Sequence, residues 1–162
     1  MVASALEMKI WRLLLQSIGV ITLALSAWGC YDWVITARSE FQHPILDSQA
    51  PFFRAAFWTL TAIDAAFVAA IIFAAIKLVQ SRPNGALIYS CVLGALIVYA
   101  FAPGALWLLP NGVGTSIAAA SGIGSMGTGP LMFYPFPFVY PLVSIVLVNF
   151  AWYRLKRSQQ TS

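Results

Sequence analysis

Residues 55–76 read AAFWTLTAIDAAFVAAIIFAAI, an apolar run interrupted by one charged side chain, Asp64. A helix rises about 1.5 Å per residue, and a bilayer's hydrocarbon core takes about 20 residues to cross. This run is long enough. Three other stretches are comparable, from about Leu13 to Ile35, from Ala86 to Leu109 and from Phe136 to Tyr153. Lipid offers no partner to backbone N–H and C=O groups, so such segments must close their own hydrogen bonds as helices. Nothing alternates with the period of two that marks a membrane β-barrel.

Composition agrees with the spans. Of the 162 residues, 60% are hydrophobic and only 9% are charged, with a mean hydropathy of +0.83. A soluble domain averages about 45–50% apolar and about 25% charged, and a small globule has too little interior to hide such an excess. Composition therefore excludes a soluble enzyme, a disordered tail, a fibre and a disulfide-stapled secreted module.

The net charge is +4, but the basic residues flank the apolar runs: Lys9 and Arg12, Lys77 and Arg82, then Arg154, Lys156 and Arg157. A nucleic-acid surface would gather them on one face, so no nucleic-acid partner is expected. Both termini and the short loop Ser81-Arg82-Pro83-Asn84-Gly85 hold these seven cations, against Arg38 and Arg54 elsewhere. The positive-inside rule puts the termini and that loop in the cytoplasm. Trp28, Tyr31, Trp33, Trp58, Trp107 and Tyr140 then form an outer aromatic belt, and Trp11, Tyr89, Trp152 and Tyr153 an inner one.

The expected fold is all-α: one domain over residues 1–162, an integral membrane four-helix transmembrane bundle in a plasma membrane, the bacterial inner membrane being the natural setting. Two rival organisations are weaker. Ala27-Trp28-Gly29-Cys30 loosely resembles a lipoprotein cleavage site, but Trp28 is not a small residue and the apolar run continues to Ile35. A fifth span over Gly112 to Phe133 would move the C-terminal cations outside, and its glycines form helices poorly.

Between Arg82 and Arg154 no side chain is charged. The Gly-rich outer loop from Pro110 to Pro135, between the third and fourth spans, is read as a lid over the bundle, with Thr115 or Ser116 able to cap a short helix. The run Phe133 to Pro141 interleaves proline with aromatics and reads as an interfacial anchor.

Asp64 carries the most chemical information. Ten residues separate it from Arg54 and thirteen from Lys77, which places the carboxyl near the bilayer midplane. An ionisable group there costs about 2.5–3.5 kcal/mol on insertion scales and turns inward. Counting depth from each span end puts Thr22, Ser26, Tyr99 and Ser144 at similar levels, all neutral hydrogen-bonding groups. These five form the candidate polar site. It reads either as a hydrogen-bonded register pin or as a proton- or ligand-responsive centre. On a helical wheel Asp64 shares a face with Phe57, Thr61, Val68, Ile71 and Ala75, while Ala62, Ala66, Ala70 and Ala74 form a stripe suited to close helix packing.

Other chemistry lacks its parts. Cys30 and Cys91 should lie about 20 Å apart in depth, beyond disulfide reach, and are expected as buried structural thiols. His43 with Glu40 and Asp47 is too few nitrogen or sulfur ligands for a catalytic zinc. Asp32 belongs to the outer boundary and cannot share a proton with Asp64. Gly122-Ile123-Gly124-Ser125-Met126-Gly127 matches G-x-G-x-x-G without the βαβ unit that gives it meaning. No catalytic residue, metal or cofactor is expected. The expectation is a non-enzymatic membrane module or subunit that acts through the lipid bilayer and a membrane protein partner or homo-oligomer; the alternative is a small-molecule or proton-linked binder or carrier centred on Asp64.

Overall fold

The computed structural model describes residues 2–41, 53–82, 84–105 and 139–160. They form four helices and, among the described residues, no strand: α1 (Val2–Phe41), α2 (Phe53–Val79), α3 (Gly85–Ala105) and α4 (Val139–Gln160). Packing is cyclic. α1 lies against α2, α2 against α3, α3 against α4, and α4 returns to α1. Two helices hold segments long and apolar enough to cross a membrane, Ala5–Tyr31 and Ala62–Val79. The apolar part of α3 described here, Gly85–Tyr99, is shorter. α1 runs well beyond the apolar stretch from Leu13 to Ile35, because hydrophobicity marks a solvent boundary and not the point where helical hydrogen bonding stops.

The core is a column of aliphatic side chains. Leu15 and Ile18 of α1 meet Ile71, Ala74 and Leu78 of α2, Leu93 and Leu96 of α3, and Val148, Ala151 and Leu155 of α4. Each set recurs at three- and four-residue spacing, so one stripe of every helix faces inward. Of the expected alanine stripe, only Ala74 is buried; Ala62 and Ala66 are exposed. Close approach is carried instead by Gly19. A Cβ there would lie 2.7 Å from Val79 Cγ2 and 3.0 Å from the Ala75 carbonyl oxygen, so α1 and α2 touch backbone to backbone. Gln16 Nε2 donates to the Val79 carbonyl at 3.2 Å on the same seam.

α2 ends in a Schellman turn. Arg82 N–H donates to Lys77 O at 3.2 Å and Ser81 N–H to Leu78 O at 2.9 Å. Ser81 has a φ of 53°, the left-handed conformation usually given to glycine at this position. Asn84 then accepts the first bond of α3, from Ile88 N–H at 3.0 Å. Gly85 packs so tightly that a Cβ would meet Lys77 O at 2.8 Å.

At the same end of the bundle, Trp11 and Phe150 meet edge to face with centroids 5.5 Å apart, and the Arg154 guanidinium lies 5.8 Å from both rings. These contacts clasp α1 to α4.

Several expectations fall outside the described residues: His43, Asp47 and the first outer loop, the Gly-rich segment with its G-x-G-x-x-G match, and the Pro–aromatic run up to Phe138. Two expectations are corrected. Tyr89 is fully buried and does not belong to an inner aromatic belt. Cys91 is exposed, because it lies on the side of α3 opposite Tyr89, Leu93 and Leu96; Cys30 is half-buried, and both thiols are free.

Candidate functional site: the buried polar interior

Four of the five candidate polar residues have almost no exposed surface: Thr22 and Ser26 at 0%, Asp64 at 1% and Ser144 at 3%. Each shares its helix's inward stripe with core aliphatics. Asp64 lies two turns from Ile71, and Ser144 four residues from Val148. Tyr99 is half-buried, with its hydroxyl enclosed.

The five do not form one cluster bonded throughout. Thr22 is the hub of the first group. Its hydroxyl donates to Ile18 O at 2.8 Å or engages the Tyr89 and Tyr140 hydroxyls, each at 2.7 Å. A hydroxyl has one proton and two lone pairs, so the two tyrosines and the backbone carbonyl divide these roles among themselves. Ser144 approaches the Tyr89 hydroxyl and donates to Pro141 O at 3.0 Å. One threonine thereby links α1, α3 and α4.

Asp64 and Tyr99 form the second group, between α2 and α3. Tyr99 stacks on Phe67 with centroids 5.0 Å apart. Phe67 is three residues from Asp64, so the stack sets the phenol beside the carboxyl. The hydroxyl is close enough to be coupled electrostatically to Asp64, without a hydrogen bond of full geometry. Ser26 lies one turn beyond Thr22 along α1, and its Oγ is buried with no hydrogen-bond partner.

Tyr89 and Tyr140 are the members that sequence reasoning missed. Residue type alone suggests a membrane boundary for both. Tyr89 also falls three and four residues from Ala86 and Leu93 in an inward stripe, which is the available signal.

The site offers hydroxyls and one carboxyl. It has no thiol or imidazole, and among the described residues no group of three metal-ligating side chains occurs. Such a set can hold a proton, a water or a small polar ligand by hydrogen bonds. The chain matches no protein-family model, no curated protein and no solved structure.

Proposed function

We propose that this chain is an integral membrane protein, a four-helix transmembrane bundle with both termini cytoplasmic, which serves as a non-catalytic module through lipid and protein contacts. One observation carries the reading. Large apolar side chains cover the outside as well as the core: Asp64, Thr22, Ser26 and Ser144 are enclosed, while Ile10, Leu13, Val20, Val98, Val146 and Phe150 stand half exposed or more on the outer faces. Water penalises that arrangement at both surfaces, and hydrocarbon rewards it at both. The exposed Ala62 and Ala66 leave a small-residue strip on α2 against which another helix could lie closely.

Native mass spectrometry of the tagged protein, gently solubilised from its own membranes, tests this. The expected result is a stoichiometric protein partner or a homo-oligomer. A second reading, a small-molecule or proton-linked binder, is favoured by the buried and unpartnered Ser26 hydroxyl in the same interior as Asp64. A lone bundle carrying a discrete small ligand that Asp64→Asn removes without unfolding would replace the first reading with the second.

A further inference from the structure

The end of the bundle that carries both described terminal segments holds an open cavity of about 610 Å³ between α1, the α2–α3 turn, α3 and α4. Cavities of about 300–1,000 Å³ hold small ligands. Its wall includes two cations, Arg12 and Lys156, the polar side chains of Ser81 and Asn84, and the apolar Leu87 and Trp152. The described acidic residues Glu7 and Asp64 are not part of its lining.

We infer that this cavity is a site for the phosphodiester headgroup of an acidic phospholipid of the cytoplasmic leaflet. Three observations converge. Arg12 and Lys156 come from helices at opposite ends of the sequence and line the same cavity, a charge excess that an oxyanion would neutralise. Ser81 and Asn84 of the α2–α3 turn add a polar wall to the same cavity. Ser81 stands at a backbone position that favours glycine, with its hydroxyl oxygen enclosed by protein. The third observation selects the source of the phosphate. Leu87 is 65% exposed at the rim, continuous with the apolar outer face of α3, where an acyl chain would lie. Free phosphate gains nothing from that wall, whereas a lipid anchored by its headgroup covers it. Basic pockets between helices on the cytoplasmic side are a recurrent form of headgroup site.

The site rests on the membrane reading, so retention in membranes after an alkaline carbonate wash is measured first; release into the wash overturns both. The purified protein is then titrated in detergent with phosphatidylglycerol, phosphatidylcholine or inorganic phosphate, and bound species are counted by native mass spectrometry. Phosphatidylglycerol is expected to bind in preference to phosphatidylcholine. Each neutralised cation should cost about fivefold in that preference, equivalent to about 1 kcal/mol. R12Q/K156Q is therefore expected to lose about 25-fold. The control K9Q/R157Q removes the same charge from outside this cavity and should keep the preference. Equal losses in both double variants would reduce the effect to diffuse attraction and overturn the site. Binding of inorganic phosphate without preference between the lipids would overturn the lipid assignment. A membrane-retained wild-type protein with no preference at all overturns the site and leaves the membrane reading standing.

Discussion

Ser81 occupies a turn position that ordinarily selects glycine. Its φ of 53° is a left-handed conformation that costs a residue with a Cβ about 1–2 kcal/mol, and glycine would adopt it freely. The Arg82→Lys77 and Ser81→Leu78 backbone bonds of the turn do not involve the side chain. Ser81→Gly is therefore expected to raise stability by about 1 kcal/mol, seen as a higher melting temperature in detergent. A variant that is less stable would show that the serine side chain contributes to the turn itself. Asp64 is legible in another way: a single carboxyl in a 22-residue apolar run has to face inward, and it is 1% exposed. Its neighbour Tyr99 could be matched to it by depth, but the Phe67 stack that orients the phenol has no signature in linear order.

Pairs of helices are held by two different devices. Gly19 lets α1 approach α2 until its missing Cβ would collide with Val79 and the Ala75 backbone. Gly19→Val must push the helices apart, and a loss of about 1–3 kcal/mol is expected in a detergent-denaturant titration. An unchanged midpoint would mean that α1 shifts without cost. The second device is the Thr22 hub. Thr22→Val removes bonds to Tyr89 and Tyr140 at once, while Tyr89 keeps Ser144 nearby and Tyr140 still reaches Ile18 O, so a cost of about 1 kcal/mol is expected. In a double-mutant cycle with Tyr89→Phe the two losses should couple by at least about 0.5 kcal/mol. Strict additivity would show that the 2.7 Å contact contributes nothing. Neither device has a clear signature in linear order. An Ala62–Ala74 stripe has the right spacing for packing, yet half of it is exposed, since spacing identifies a face and not its neighbour. Cys91 makes the same point: residue type suggests burial, and angular position on α3 decides exposure.

The four described helices pack around a mainly aliphatic core that encloses a few polar side chains, and large apolar side chains cover the outer faces as well. Membranes washed with alkaline carbonate should therefore keep the protein in the pellet, and its release would contradict the reading of the exposed Leu13, Val98 and Val146 surfaces as lipid-facing. Linear order was enough for the four helices among the described residues and the inward turn of Asp64, whereas α1 runs well beyond its apolar stretch. Hydrophobicity and helical periodicity act locally, along one segment at a time, and so are written in local sequence. The cyclic packing, the Gly19 contact, the three-helix bonds of Thr22 and the cavity joining Arg12 to Lys156 depend on residues far apart in the chain. Those belong to tertiary structure alone, because the rotation and depth of each helix follow from how its side chains fit those of its neighbours.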